Sequence, residues 1–349
     1  MKNLSVFNKL VFLANIVLTL LTGVAYSMPF LAPKLYPFVA VLTLFMPLFL
    51  ILNGLFFVYW LLQLKRHMML SGLVLLVGIT FITKFYKFSE TNLAASEHDF
   101  EVMSYNVRLF NLFDWLPGKE VPNTILQFIN EHNPDILCIQ EYSTAAKIDL
   151  KVYPYHYISM QGKQIKTGQA IFSKFPIIDQ GNLDLPANSN NNVIFADIKC
   201  GKEIVRVYNM HLQSIKISPD VNELSENIEV INQQRSQVLF KRISTAFRQQ
   251  QQQAEIIQQH KSACEYPILV CGDMNNSPFS YVYRNIKGNL QDCFEEAGRG
   301  FGQTYKFKYY PARIDYIFAD TRLKVKSFQS FSDFVQSDHF PILTRVAFE

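Results

Sequence analysis

Apolar residues run almost without interruption through residues 1–88, and from about Ser89 they alternate with polar ones to the end of the chain. Three apolar stretches, Leu10–Phe30, Tyr36–Leu64 and Met68–Tyr86, predict membrane spans, because a span needs ~20 predominantly apolar residues. The third is the shortest, and Lys84 and Lys87 at its end can snorkel to the interface. Ala32-Pro33-Lys34 and Lys65-Arg66-His67 form the polar breaks, and Tyr26, Tyr36, Tyr59, Trp60, Phe85 and Tyr86 fall near the span ends as an aromatic belt. A cleaved signal peptide fits the first segment poorly, since the run is too long and two more follow it. A buried bundle fits all three poorly, since none offers a polar face to water. The pattern divides the chain into an anchor over residues 1–90 and a second domain over residues 97–349.

In the second domain, short strand-like runs recur between turns. The expected strands are Phe100–Val107, Ile136–Gln140, Ala170–Phe172, Val193–Ile198, Ile204–Met210, Ile268–Cys271, Asp315–Phe318 and Ile342–Phe348. Val121–His132 reads as a helix closed by Asn133-Pro134, and a longer helix is expected over Leu224–His260. Phe240, Ile243, Phe247, Ala254 and Ile257 mark one face of that helix, and its glutamine run Gln249–Gln253 is expected to be solvated surface. Asn188–Asn192 and Ser214–Glu229 are expected to form loops near the rim. Strands with intervening helices imply a single α/β domain.

Charge follows the same division. Residues 1–90 hold seven Lys and Arg against Glu90 alone, about +6, which leaves the remainder near −2. The basic balance therefore belongs to the anchor and does not indicate a nucleic-acid-binding face. Four positive residues lie on the N-terminal side of the spans and three on the other, which tilts the second domain towards the extracytoplasmic side of a plasma or inner membrane. The five cysteines (Cys138, Cys200, Cys264, Cys271, Cys293) are odd in number and form no CxxC, so they read as small buried hydrophobes.

The informative residues are polar groups placed directly after or before apolar strands. They occur in Ser104-Tyr105-Asn106-Val107-Arg108, Gln140-Glu141, Tyr208-Asn209-Met210-His211-Leu212, Gly272-Asp273-Met274-Asn275, Arg313-Ile314-Asp315-Tyr316-Ile317-Phe318 and Ser337-Asp338-His339-Phe340-Pro341. Singly, each has an ordinary explanation: a solvated Glu, a turn at Gly272-Asp273, an ion pair between Arg313 and Asp315. Together they supply the reagents for one task. Glu141, Asn106 and Asp338 are hard oxygen ligands suited to Mg²⁺. His211 and His339, with Asp273 and Asp315, give acid–base capacity, and Asn275 offers an amide donor to a phosphate oxygen. That set fits metal-assisted attack of water on phosphorus.

As an ordered set, SYNVR, QE, YNMHL, GDMN, RIDYIF and SDHFP resemble the motifs of the endonuclease/exonuclease/phosphatase superfamily, similar to deoxyribonuclease I. The resemblance covers roughly Asp99–Glu349. It implies a four-layer α/β sandwich, two mixed sheets flanked by helices; the apolar runs place an all-α transmembrane region of about three helices ahead of it. It further implies Glu141 as the main Mg²⁺ ligand (Mn²⁺ as substitute) with Asn106 beside it and Asp338 helping, and no other cofactor. By the same resemblance Asp273 orients or deprotonates water, Asn275 and His211 hold the phosphate, and His339 is an acid–base group polarised by Asp315. The implied protein is a membrane-anchored, Mg²⁺-dependent phosphodiesterase, nuclease-like or directed at a phospholipid or sphingolipid headgroup. The alternative is a non-catalytic membrane sensor that binds a phosphorylated ligand through the same domain.

Overall fold

A computed structural model of the chain describes residues 4–162, 166–186, 191–215 and 233–349. The expected loops at Asn188–Asn192 and Ser214–Glu229 lie largely outside the described residues.

The anchor begins with α1 (Val6–Ser27), capped by the Ser5 side chain, which accepts from the Asn8 amide. A one-turn α2 (Pro37–Ala40) and a 3₁₀ segment, Val41–Phe45, lead into α3 (Met46–Leu62). Val6–Phe30 and Pro37–Leu62 are each long and apolar enough to cross a membrane. The third expected span is broken: α4 (Met68–Val77) and α5 (Ile79–Phe85) meet at Gly78 with a bend of 63°. The Tyr26 hydroxyl packs there and donates to the Val74 carbonyl at 3.1 Å. A Cβ on residue 78 would lie 2.0 Å from that hydroxyl, so only glycine fits the crossing. Outward side chains such as Leu13, Leu20, Leu55, Leu62, Leu73 and Leu76 are exposed, so these helices present an apolar outer surface. Inside, Asn15 donates to Ser71 at 2.7 Å and Asn53 to Thr22 at 3.0 Å, polar links between the apolar helices.

Residues 99–349 form two six-stranded mixed sheets. The first contains β1 (Asp99–Asn106), β2 (Ile136–Tyr142), β3 (Tyr155–Gln161), β4 (Thr167–Ser173), β11 (Leu323–Ser330) and β12 (Ile342–Phe348), in the order β11-β12-β1-β2-β4-β3. The second contains β5 (Ile177–Asn182), β6 (Val193–Cys200), β7 (Glu203–His211), β8 (Ile268–Asp273), β9 (Gln291–Asp292) and β10 (Asp315–Ala319), in the order β5-β6-β7-β8-β10-β9. Pairing is parallel between β1 and β2 and between β7 and β8, and antiparallel elsewhere.

Alternation along the strands builds the layers. Val102, Cys138, Val207, Cys271 and Ile317 meet in the core between the sheets. Their neighbours Met103, Leu137 and Ile139 face α6 (Val121–His132), while Tyr208, Val270 and Phe318 face α7 (Gln233–Ser262) and α8 (Tyr281–Lys287). A short α9 (Cys293–Ala297) follows β9. The result is the expected four-layer sandwich. The glutamine run departs from expectation: Gln250, Gln251 and Gln253 are buried, because that face of α7 meets the anchor and loops from the second sheet. All five cysteines are free thiols, and Cys138, Cys271 and Cys293 are buried.

Candidate active site

Side chains that face the inter-sheet core turn polar at one end of the sandwich. In β1 the inward series Phe100, Val102, Ser104 ends at Asn106; in β7 the series Val205, Val207, Asn209 ends at His211. In β8 Leu269 and Cys271 lead to Asp273, and antiparallel β10 starts at Asp315 before Ile317. Strand periodicity thus brings four of the expected residues to one rim. Glu141 breaks the pattern. After inward Gln140 it should point outward, yet it adopts φ 51° inside a register shift between β2 and β4. This bulge swings the carboxylate to the rim and returns Tyr142 to the outer core. Just after Asn106, residues Arg108–Asn111 form a left-handed turn with φ between 44° and 61°. Each such residue costs roughly 1–2 kcal/mol, so the turn is held by its surroundings. Asn111 supplies part of that hold, donating to the Leu116 carbonyl and accepting its amide, both at 2.9 Å.

Asp273 is the hub. Its Oδ2 accepts from Asn106 Nδ2 at 3.1 Å and Asn275 Nδ2 at 3.0 Å, and lies 3.6 Å from His211 Nε2 and 3.7 Å from His339 Nε2. His339 turns its other nitrogen, Nδ1, to Asp315 at 2.9 Å. His211 Nε2 also lies 3.6 Å from Glu141 Oε1, and Asn106 Nδ2 is 3.5 Å from the same oxygen. Asp338 sits at the margin, with Arg108 Nη1 at 3.4 Å, and Arg108 stacks over the Trp115 ring at 4.4 Å. The structure thus gathers Asn106, Glu141, His211, Asp273, Asn275, Asp315 and His339 into one array with Asp338 beside it. Arg313 is not the partner of Asp315; it pairs with Asp292 at 2.6 Å, both buried.

Burial raises the Asp273 carboxyl to about 6, with the nearby Asp315 charge adding to the rise and the two imidazoles opposing it. Burial alone would lower His339, but Asp315 and Asp273 outweigh it and hold the ring well above its ordinary value. The two carboxylates that flank His339 thus favour its imidazolium form.

Asp273, Asp315 and His339 also have ligand atoms within 4.8 Å of one another, a spacing that could hold a metal ion. Within that trio His339 is hydrogen-bonded to Asp315 at 2.9 Å and stands 3.7 Å from Asp273, so the ring itself fills the space between the two acids. Glu141 is partly open to solvent, and among the described residues its ionic partner within 4 Å is His211. Four carboxylates here face one guanidinium and two imidazole rings, at most three positive charges, so the site has a surplus of negative charge that a divalent cation would offset.

Several residues that build the site carry no signal of their own in the sequence. Asn209 donates to the Ile139 and Ala170 carbonyls, both at 2.9 Å, and accepts from Gln140 at 2.7 Å, which ties the two sheets beneath the rim. The Thr304 hydroxyl accepts the amides of Ile314 and Asp315, both at 3.0 Å. Gln250 donates to the carbonyls of Gln213 at 2.7 Å and Asn275 at 3.1 Å, and accepts from Asn276 at 2.7 Å. Asn209 and Gln140 stood inside the quoted motifs; Thr304 and Gln250 are visible only in three dimensions.

The endonuclease/exonuclease/phosphatase family profile matches residues 103–339, and the chain belongs to that family. A second profile, described as a domain of unknown function (DUF8431), matches residues 8–85. No curated protein matches the chain. Among solved structures, a family member from Bacteroides vulgatus is 21% identical with a TM-score of 0.53, over 72% of this chain and 99% of that one. The human nocturnin catalytic domain with bound sulfate anion is 19% identical with a TM-score of 0.53, over 76% and 99%. The Bacteroides thetaiotaomicron mannosyl-6-phosphatase is 18% identical with a TM-score of 0.52, over 71% and 100%. These structures share the fold.

Proposed function

We propose that the protein is a metal-dependent phosphoesterase in which Glu141 and Asn106, with Asp338 beside them, hold a Mg²⁺ or Mn²⁺ ion. A hard divalent cation there would neutralise a phosphate oxygen and favour attack at phosphorus. Asp273 takes the proton of the attacking water, a task suited to a carboxyl raised to about 6. His339, oriented by Asp315, carries the positive charge that meets the developing phosphorane oxygens and can supply a proton to the ester oxygen that leaves. His211 and the Asn275 amide hold nonbridging oxygens.

The observation that carries this reading is the convergence of His211, His339, Asn106 and Asn275 on the single carboxylate of Asp273. Phosphate-ester chemistry also agrees with the named activity of the mannosyl-6-phosphatase and with the zebrafish TDP2 structure solved with a single-strand DNA product. The test is hydrolysis by the full chain of plasmid DNA, RNA, sphingomyelin and inositol phosphates, with Mg²⁺, with EDTA, and with His339→Ala. Cleavage that disappears with EDTA and with the substitution supports the reading; metal-independent cleavage, or none at all, refutes it.

A further inference from the structure

Loops of the second sheet carry Asn275 and lead into Asp315, and the anchor holds them from two sides. Beyond Asn275, the Ser277 hydroxyl lies 3.5 Å from the Thr43 carbonyl, and Phe279 is buried among Leu18, Met46, Phe49 and Leu50. Phe81 of α5 packs on Phe279, with ring centroids 6.2 Å apart, and stacks on Tyr26 at 4.7 Å. Ahead of Asp315, Arg313 donates to the Lys84 carbonyl at 3.2 Å and to Asp292 at 2.6 Å. Ahead of Thr304, Phe301 packs edge-on against Phe85 and Tyr86, with centroids at 5.1 and 4.8 Å.

Tyr316 joins the two arms. Its buried hydroxyl lies 2.9 Å from the Asn276 carbonyl and 2.8 Å from that of Arg313, so one proton serves both. The Met274 amide crosses the same gap to the Ile314 carbonyl at 2.9 Å. A closed ring results: Thr43 to Ser277, Asn276 through Tyr316 to Arg313, Arg313 to Lys84, and back through Phe81 to Phe279. Asn275 precedes one arm by a single residue, and Asp315 follows the other by two. In a close-packed interior neither arm can shift without breaking a hydrogen bond or opening a void around Phe279. The metal half is built differently. Asn106 ends β1 and Glu141 lies in β2, both in the first sheet, whereas the anchor contacts above all fall on loops of the second.

We propose that the anchor is a working part of the active site. α5 and the entry to α3 set the positions of Asn275 and Asp315, so turnover depends on how the anchor packs while metal affinity does not. Phe81, Phe279 and Tyr316 act as positioning residues. This rests on the phosphoesterase reading above.

The test uses the full chain in detergent micelles. Phe81→Ala opens the anchor side, Tyr316→Phe removes the hydroxyl alone, Phe81→Leu refills most of the void, and Leu73→Ala on the exposed outer face of α4 is the control. On any phosphate ester that the wild type cleaves, Phe81→Ala and Tyr316→Phe are expected to lower kcat about 10–100-fold, the scale of an ångström-sized misplacement. The half-saturating Mg²⁺ concentration should stay at its wild-type value. Phe81→Leu should recover most of the loss, and Leu73→Ala should match the wild type. A kcat that Phe81→Ala leaves unchanged, or that falls only together with Mg²⁺ affinity, would overturn the proposal and leave the phosphoesterase reading intact. Hydrogen exchange gives a second readout that needs no substrate. In Phe81→Ala the Met274 and Asp315 amides should exchange roughly tenfold faster while those of β1 and β2 keep their rates. Uniform acceleration, or none, would overturn the proposal; a wild type that hydrolyses nothing overturns the phosphoesterase reading instead.

Discussion

Asp273 and Asp315 stand directly opposite each other across the antiparallel β8–β10 pair, two buried carboxylates bridged by the His339 imidazole. Like charges placed opposite on a sheet repel, and the imidazolium between them offsets that cost. Replacing His339 with Ala removes the bridge. Activity is expected to fall about 10²–10⁴-fold, the range for an acid–base group. Asp273 then loses the cation that holds its carboxyl down, and its value rises further in the folded state. A raised folded value means stability that is present at low pH and lost as pH rises through it. Melting curves of the variant should therefore show a larger deficit against wild type at pH 8 than at pH 5.

The same pair sets the pH profile of the reaction. Asp273 must be ionised to accept a proton, and burial raises it to about 6, so activity should climb through an acid limb near that pH. His339 must stay protonated; burial lowers its value, but Asp315 and Asp273 raise it further, so the alkaline limb should lie well above the ordinary histidine range. Asp315→Asn removes the larger of those two supports and should move the alkaline limb down. A profile of kcat/KM against pH for both proteins checks this, read as apparent values of a coupled pair.

Gln250 couples the loops after His211 and Asp273 through its three hydrogen bonds. Gln250→Leu leaves two buried carbonyls and an amide without that partner, at a cost of about 1–3 kcal/mol for each group left unsatisfied. The expected signature is a lower melting temperature with kcat reduced more than KM is raised, because Asn275 loses its bearing while the rim stays open. Gln250→Glu, which keeps the shape but loses the donors, should behave like Leu.

Gly272 precedes Asp273 with φ 126°, and a Cβ there would lie 2.1 Å from the Met210 carbonyl oxygen. Neither backbone can yield without parting β7 from β8. Gly272→Ala is expected to destabilise the domain by several kcal/mol. A drop in yield and melting temperature well beyond that of Ala substitutions on the surface would bear this out.

The two-part organisation, the central strands and the residues at their polar ends were legible because strand alternation and long apolar runs are local patterns. The β12 expectation, Ile342–Phe348, matches residue for residue. Edge strands were not legible. The half-exposed Tyr155–Gln161 run of β3 and the mixed Leu323–Ser330 run of β11 carry no unbroken apolar core, and both are fixed by their partners. Glu141 could be named from its neighbours, but its inward turn depends on a bulge that no residue type announces. Gln250, Gln251 and Gln253 read as solvent-facing because glutamine usually is; their burial follows from the anchor that packs across α7, where Gln251 accepts the Lys34 amide at 2.9 Å. The bend at Gly78 is set by Tyr26, some fifty residues away in the sequence.

The most direct test of the central claim is the rate of phosphate-ester hydrolysis measured against Mg²⁺ concentration for the full chain and for Glu141→Gln. The account predicts saturation by Mg²⁺ in the wild type and a half-saturating concentration roughly tenfold or more higher in the variant, since one of its few charged ligands is gone. A rate that does not depend on Mg²⁺, or one that Glu141→Gln leaves unchanged, would contradict it.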